Sequence, residues 1–261
     1  MDFSNIKPLD NAKIFDSHAH YDDERFDGII NELLPKIHAM GVEKIVNCGC
    51  DNETNKKCLA IAEKFPFVYS AVGIHPCNID SGTTVADIRN FAKHKKCVAI
   101  GEIGLDYYWE PDKKEEQKAV FKEQLLLARE LDLPIIVHDR DAHGDVLEIL
   151  KEYKPKGVVH SFSGSVEMAE EILKLGMYIG IGGVITFSNA KKLPDVVKML
   201  PLDRLLLETD APYLTPVPFR GKTNHSEMIY LVAQKIAEIK CKKMEEILKI
   251  SYVNANKLFG L

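Results

Sequence analysis

Eight short apolar runs rich in β-branched residues recur along the chain, and segments with the period of an α-helix separate them. The runs span residues 14–18, 44–48, 68–74, 97–103, 134–137, 157–159, 178–181 and 205–208. Strands that alternate with helices favour a parallel sheet, because each helical crossover returns the chain to the same end of the sheet. Eight such units in about 250 residues predict an α/β fold, a TIM-type (β/α)8 barrel. An open doubly wound sheet shows the same alternation and is the alternative.

The segments between the runs are amphipathic, as in 121–131, where apolar residues recur on one helical face. The last of them, Met244 to Phe259, follows the eighth strand and is expected to cover the barrel. Pro35 lies inside the first helical segment and predicts a kink or a break there. No low-complexity linker divides the chain, so we expect residues 1–261 to form a single domain.

The formal charge of −5 at pH 7 gives the chain no global basic surface. A nucleic-acid partner would therefore be held locally, as a terminus or a short segment, rather than along an extended electrostatic stripe. No apolar run has membrane-spanning length, and residues 1–13 lack the apolar core of a signal peptide. We expect no membrane partner.

The six cysteines are scattered and form no CxxC pair. Most of them lie in apolar segments, which indicates reduced core thiols and a cytoplasmic protein. Cys48 and Cys50 lie close together after the second run, and soft metal ligation is the alternative to simple burial for this pair.

Imidazole and carboxylate groups fall at or near the ends of six predicted strands. In either candidate fold, function is expected at the carboxyl ends of the strands. A single histidine at a strand end is commonly structural, but so many ligand-type side chains at one rim indicate a metal site. The residues are His18, His20, His75, Glu102, His138, His160 and Asp210.

The first strand carries His18 and His20 on the same face as Asp16, because side chains alternate with a period of two. Two imidazoles on one face repel when protonated and are stabilised by a shared cation. Glu102 lies in an apolar and glycine run, where burying an unpaired carboxylate is costly. Both features favour metal ligation over a structural role.

Six motifs, in order along the chain, resemble those of a known family. They are HAH at 18–20, GEIGLDYY at 101–108, VHDRDA at 137–142, HSFSG at 160–164, ETDAPYL at 208–214 and RGKTN at 220–224. Together they resemble the TatD family of metal-dependent deoxyribonucleases, which are amidohydrolase-like hydrolases with a TIM-barrel fold.

The resemblance implies six metal ligands, with Glu102 bridging two divalent ions: His18, His20, Glu102, His138, His160 and Asp210. Two positions depart from the usual pattern of the family. Ser161 stands where a cysteine is common, and Ser226 stands where a proline is common. Neither is a ligand position, so the departures bear only on how the loop from Arg220 to His225 packs.

Two divalent ions held by neutral imidazoles and two carboxylates leave about two positive charges at the site. Such a site favours an anionic substrate, and hydrolysis of a phosphodiester by a water activated by two metals meets this condition. We assign catalytic roles to Glu102 and Asp210, with Asp210 also accepting the proton of the attacking water. Four histidines favour Zn, Mn, Co or Fe, whereas the nuclease activity of the family is associated with Mg, so Mg, Mn and Zn are the candidate ions.

Positive groups near the strand ends are the candidates for holding phosphate. Arg140 closely follows His138, and Arg220 and Lys222 follow strand eight. Ordinary solvated surface charge is the alternative for each of them.

Aromatic groups and one further histidine lie near the same strand ends. Tyr107, with Tyr108 and Trp109 after it, is placed either to stack on bases of a frayed strand or to cover the barrel mouth. His75, at the end of strand three, is a candidate substrate contact.

The residues and the resemblance together favour a hydrolase that cleaves phosphodiester bonds of DNA, as a monomeric 3'-5' exonuclease on single-stranded or frayed ends. An amidohydrolase-type enzyme acting on a small ester, lactone or amide is the alternative. Its relatives often bridge their metals through a carboxylated lysine at the end of strand four, where this chain has Glu102. A non-catalytic binding protein is disfavoured, because every ligand type is present.

Overall fold

The computed structural model describes residues 13–261, and they contain one sheet of eight parallel strands in sequential order. The strands are β1 Ile14–Ala19, β2 Val42–Cys48, β3 Val68–Val72, β4 Cys97–Asp106, β5 Ile135–Arg140, β6 Gly157–Val159, β7 Tyr178–Ile181 and β8 Leu205–Leu207. The residues after β8 return to β1, where the amide of Asp210 donates to the carbonyl of His18 at 3.0 Å. A bridge between Ala19 and Ala211 extends this seam. The sheet is thus a nearly closed barrel, which confirms the predicted fold and excludes the open sheet.

Helices connect successive strands and surround the barrel. Within residues 13–261 they are α1 Ile30–Ala39, α2 Asn52–Lys64, α3 Val85–Phe91, α4 Lys114–Glu130, α5 His143–Tyr153, α6 Val166–Lys174, α7 Leu193–Met199, α8 Ile229–Lys240 and α9 Met244–Phe259. Helix α1 is continuous through Pro35, so the chain does not break there. None of the helices in this part of the chain is long and apolar enough to cross a membrane. The prediction that no signal peptide is present rests mainly on residues 1–12, and these lie outside the residues that the structure describes.

Helix α9 covers the amino-terminal end of the barrel. Phe259 stacks on Phe15 near the start of β1, with ring centroids 5.7 Å apart. The amide of Asn254 donates to the carbonyl of Leu205, where β8 begins, at 2.9 Å. Because interior residues at this end are sealed by an apolar helix, the opposite end, where the strands terminate, is the open one.

Strand β4 is longer than its apolar run predicts. It extends to Asp106, so Glu102 lies within the strand rather than at its end. Strand β3 is shorter than its run: it ends at Val72, and His75 lies in the following loop. In the parallel register Gly104 pairs with His138, which brings β4 and β5 side by side at the rim.

Candidate metal centre

A cavity of about 1100 Å³ opens at the carboxyl ends of the strands. Five of the six predicted ligands line it, and His18 lies directly beneath, fully buried. The shared location follows from the parallel barrel, because all the strands terminate at one rim. The strand-end residues therefore converge as the sequence predicts.

The first cluster lies where β1 meets the segment after β8. The Nε2 atoms of His18 and His20 are 3.0 Å apart. One oxygen of Glu102, Oε2, lies 3.4 Å from both nitrogens. Oδ1 of Asp210 lies 3.6 Å from Nε2 of His18 and 3.4 Å from that of His20. Two imidazoles and two carboxylates thus surround one point.

The second cluster forms around the other oxygen of Glu102. Oε1 lies 2.7 Å from Nδ1 of His138 and 2.6 Å from Nε2 of His160. These two nitrogens are 3.4 Å apart. His75 approaches the same oxygen, with its Nε2 at 3.7 Å. The carboxylate of Glu102 therefore faces a different pair of histidines with each of its oxygens.

The buried carboxylate of Glu102 is held in its charged form. Burial raises its pKa, but the charge of nearby His160 and a hydrogen bond from His138 outweigh burial and hold the pKa well below its ordinary value. Burial and the nearby His160 lower the pKa of His18 to about 4, so this ring is neutral near pH 7. A charged carboxylate beside a neutral imidazole is what metal ligation requires.

Hydrogen bonds on the far side of the rings set which nitrogen faces the site. Nδ1 of His20 lies 2.9 Å from the carbonyl of Cys48, a group that only accepts, so Nδ1 donates to it and Nε2 is the nitrogen that faces the site. Nε2 of His138 lies 3.0 Å from Oδ2 of Asp106, which leaves Nδ1 to face Glu102. Histidine ligands of metals are oriented in this way, by a carbonyl or a carboxylate behind the ring. The imidazole and carboxylate donors are of the types that hold a divalent metal ion.

A family model described as TatD related DNase matches residues 15–260. The chain belongs to the TatD family. It is 45% identical over 253 residues to the uncharacterized metal-dependent hydrolase YabD of Bacillus subtilis (strain 168), covering 95% of this chain and 99% of that protein. It is 33% identical over 258 residues to the uncharacterized metal-dependent hydrolase TatD of Mycobacterium tuberculosis, covering 94% and 97%.

The solved structure of YjjV, a TatD homolog from Escherichia coli K12, has the same fold. Its TM-score with this chain is 0.90 at 35% identity, and the match covers 95% of this chain and 98% of that one. The chain is therefore a TatD-family metal-dependent hydrolase with a (β/α)8 barrel.

Asp16 joins the first strand to the segment that carries Asp210. Its carboxylate accepts from the amide and the hydroxyl of Thr209, at 3.0 and 2.6 Å, and from the hydroxyl of Ser226 at 2.7 Å. Ser226, one of the two departures from the family pattern that the resemblance implies, also contacts the hydroxyl of Tyr21 at 2.7 Å. The departure thus contributes a buried hydrogen bond that fixes the seam of the barrel.

Glu208 lies on the Nδ1 side of His160, beyond hydrogen-bond distance of the ring. It is fully buried, and its Oε1 is 3.9 Å from Nδ1 of His160 and accepts from the amide of Ser161. Burial raises the pKa of Glu208 to about 8. The sequence contained the carboxylates of Asp106 and Glu208, within GEIGLDYY and ETDAPYL, but their positions beside ligand rings depend on depth in the barrel, which a motif does not show.

The structure brings two of the five predicted substrate contacts to the cavity, Arg140 and His75. The hydroxyl of Tyr107 instead donates to Asp145 of α5 at 2.6 Å, so it is directed away from the cavity. Arg220 and Lys222 also lie outside the cavity lining. The guanidinium of Arg220 packs 3.9 Å from the ring centre of Phe187, a contact between distant loops.

Other basic and aromatic side chains line the cavity and were not singled out from the sequence. Lys191 and Lys192 lie in the loop after β7, and Lys57 extends from α2. Tyr213 follows Asp210. Their position after strands is a usable signal in a barrel. Tyr213 lies in the motif ETDAPYL, whereas no motif or periodicity marks the three lysines.

Proposed function

We propose that this TatD-family chain is a DNA hydrolase that removes nucleotides from single-stranded or frayed ends with two divalent ions. The observation that supports it best is that the two carboxylate oxygens of Glu102 face different pairs of histidines. Oε2 faces His18 and His20, and Oε1 faces His138 and His160. One ion would be held by His18, His20, Glu102 and Asp210, and the other by Glu102, His138 and His160. When bound, such a pair lowers the pKa of a water and stabilises the attacking and leaving oxygens of a phosphodiester.

The residues of the chain supply the remaining steps. Asp210 lines the cavity and its side chain is 17% exposed, so its carboxylate can accept the proton of the attacking water. Glu102 is buried, with a side chain only 4% exposed, and holds the two clusters at a fixed separation. Arg140 lies at the cavity, where its planar guanidinium suits a phosphate.

Two pairings of arginine with aromatic rings support a single-stranded substrate. The guanidinium of Arg140 lies 4.1 Å from the ring centre of Tyr108 and 5.4 Å from that of Trp109. Arg25 lies 4.2 Å from the ring centre of Tyr213, which lines the cavity. Exposed rings of this kind stack on unpaired bases, whereas paired bases of a duplex present only their edges. Trp109 and Tyr213 are 62% and 46% exposed, so both rings keep accessible surface beside their arginine partners.

Degradation from the 3' end, action as a monomer and location in the cytoplasm complete the proposal, with residues 1–261 as one domain. The six cysteines are free thiols, which suits a reducing compartment.

Hydrolysis of a small ester, lactone or amide is the second candidate. The apolar residues Val184, Leu193 and Leu214 line part of the cavity and suit an uncharged acyl group. The basic side chains at the same cavity favour the phosphodiester.

The test is release of nucleotides from single-stranded DNA by metal-stripped protein after Mg, Mn or Zn is added back. Substrates labelled at the 5' end and at the 3' end distinguish the two polarities. Glu102→Ala should lower the rate at least about 100-fold. Removing a residue that only hydrogen-bonds to a metal ligand already costs up to about 100-fold, and Glu102 would itself be a ligand. Glu110→Ala, which removes a carboxylate paired with Lys113, is the matched control and should stay active.

Two results would contradict the proposal. If no ion restores shortening although two ions bind per chain, the nuclease assignment is wrong and small esters and amides become the substrates to assay. If Glu102→Ala retains the rate of the unmodified protein, the activity does not come from this site.

A further inference from the structure

Among the described residues, Cys50 is the one cysteine whose sulfur groups with two donor atoms of the first cluster. Its Sγ, a ring nitrogen of His20 and a carboxylate oxygen of Glu102 all lie within 4.8 Å of one another. These three side chains come from β4, from the segment after β1 and from the segment after β2. The barrel thus assembles a mixed sulfur, nitrogen and oxygen donor set that sequence spacing alone does not show.

The backbone around Cys50 is fixed from three sides. Its amide donates to the hydroxyl of Thr54 at 2.8 Å, and its carbonyl accepts from the amide of His75 at 3.0 Å. The carbonyl of Gly49 accepts from the amide of Glu102 at 3.1 Å. These bonds involve main-chain groups of residues 49 and 50 and hold the thiol near Glu102, and the thiol itself contacts the ring of His20.

The other thiols near the site have different surroundings. Sγ of Cys48 is fully buried and lies 3.4 Å from Nδ1 of His18, on the side of the ring opposite the cluster. Cys77 lines the cavity. In the described part of the chain, however, its sulfur does not lie within 4.8 Å of donor atoms from two other ligand-type side chains, as that of Cys50 does. Cys50 alone combines access to the cavity with two adjacent ligands.

We propose that Cys50 is an additional ligand of the ion held by His20 and Glu102, and that it biases the first cluster towards zinc, cobalt or iron over magnesium. The proposal rests on the metal centre proposed above. The thiol loses its proton to solvent as the metal–sulfur bond forms, and no electron is transferred. Thiolates favour these softer ions, whereas Mg²⁺ takes oxygen ligands almost exclusively.

The test follows cobalt binding by absorption. Metal-stripped protein is titrated with Co²⁺, and the bound ions are counted by equilibrium dialysis. Wild-type protein should show the near-ultraviolet charge-transfer band of a cobalt thiolate together with the visible bands of the ion. Cys50→Ser should lose the near-ultraviolet band and keep the visible ones, whereas Cys77→Ser should keep both.

The affinity for metals gives a second readout. Cys50→Ser should lower the Zn²⁺ affinity by roughly 10- to 100-fold, the range that loss of a supporting group costs a metal site. The Mg²⁺ affinity should stay unchanged, because a serine hydroxyl replaces a group that Mg²⁺ does not use. Circular dichroism checks the fold of each variant.

The outcomes separate the two proposals. Cobalt bound without a charge-transfer band in the wild type, or a band that survives in Cys50→Ser, overturns the role of Cys50 and leaves the metal centre in place. A band that disappears only in Cys48→Ser would assign the thiolate to Cys48. Failure of the wild type to bind cobalt or zinc at all overturns both the metal centre and the ligand.

Discussion

Oδ2 of Asp106 lies 3.0 Å from Nε2 of His138, on the opposite side of the ring from Glu102. Nδ1 of the same ring is 2.7 Å from Oε1 of Glu102. Burial lowers the pKa of His138, but the two flanking carboxylates outweigh burial and raise it to about 9. The position therefore stabilises positive charge, whether that charge is a proton on the ring or a divalent ion beside it.

Asp106→Asn should weaken metal binding and hydrolysis together. The amide side chain has nearly the same shape and keeps an oxygen for the amides of Tyr108 and Trp109, which Oδ1 of Asp106 accepts at 3.0 and 2.8 Å. It turns an NH2 group towards Nε2 of His138 and so no longer favours the tautomer with Nδ1 free. We expect a loss of roughly 10- to 100-fold in metal affinity and in kcat/KM.

Asp145→Asn is the matched control, because Asp145 bonds Tyr107 and Lys118 but touches no ligand ring. Zinc titration by calorimetry and nucleotide release measure the two effects. Equal metal affinity in Asp106→Asn and the wild type would show that Asp106 does not orient His138.

The barrel and the candidate centre are largely predictable from sequence, for a shared physical reason. Each strand is a local apolar run, and in a parallel barrel every such run ends at one rim, so residues far apart in sequence converge without knowledge of any contact. His18 and His160 illustrate this: their rings stack with centroids 3.9 Å apart.

The sequence does not predict the direction of a side chain when that direction depends on a partner far away in the chain. Tyr107 turns towards Asp145 and Arg220 packs on Phe187, and neither partner lies in the same motif. Glu102 lies within β4 rather than at its end, because the strand continues to Asp106 beyond its apolar run. Loop paths after the strands have no periodicity, which is why Lys192 was missed.

Trp109→Ala should raise KM for single-stranded DNA with little change in kcat. Trp109 is 62% exposed at the cavity and packs at 4.8 Å against Tyr108, so it offers a face to an unpaired base. Stacking on an aromatic ring contributes about 1–3 kcal/mol per base, which corresponds to roughly 5- to 150-fold in KM. Steady-state kinetics on a short oligonucleotide measures it.

Tyr107→Phe separates the two neighbouring aromatic residues. Its hydroxyl is engaged by Asp145, so KM should stay at the wild-type value. A rise in KM for Tyr107→Phe, with none for Trp109→Ala, would reverse the assignment and restore Tyr107 as the substrate contact.

Removal of metal should destabilise the folded protein. Each ion that binds only the native state stabilises it by about 2.7 kcal/mol at a concentration 100 times Kd, which corresponds to a rise of about 5–11 °C in Tm for a chain of this size. Differential scanning calorimetry with EDTA and with added zinc measures the difference. Most of it should vanish in Glu102→Ala, which lacks the carboxylate common to both clusters. An unchanged Tm at saturating zinc would contradict a native-state metal centre.

Acid should weaken the pairing of Asp23 with Arg25. Nε of Arg25 donates to Asp23 at 2.8 Å, and this contact lowers the pKa of Asp23 from 3.8 to about 2. Because the folded pKa is the lower one, the unfolded chain binds more protons between these values, and the stabilisation present above pH 3.8 is lost as the pH falls to about 2.

The difference in unfolding free energy between the wild type and Asp23→Asn should therefore shrink across that window. It should be below about 1 kcal/mol at its largest, because Arg25 is substantially exposed. Urea denaturation of metal-stripped protein measures it. A difference that stays constant from pH 5 to pH 2, about three units spanning both pKa values, would show that this pair does not stabilise the fold.

Lys191 and Lys192 should contribute to the salt dependence of DNA binding, and Lys222 should not. The first two are exposed at the cavity, whereas Lys222 lies outside its lining. Each cation that neutralises a phosphate of a single strand adds about 0.7 to the slope of log K against log salt. Replacing both cavity lysines by alanine should reduce the slope by up to about 1.4, twice that amount. Fluorescence anisotropy with a short oligonucleotide and metal-stripped protein gives the slope without cleavage. If Lys222→Ala lowers the slope as much as the double replacement, the phosphates follow a path beside the loop after β8 instead of entering the cavity.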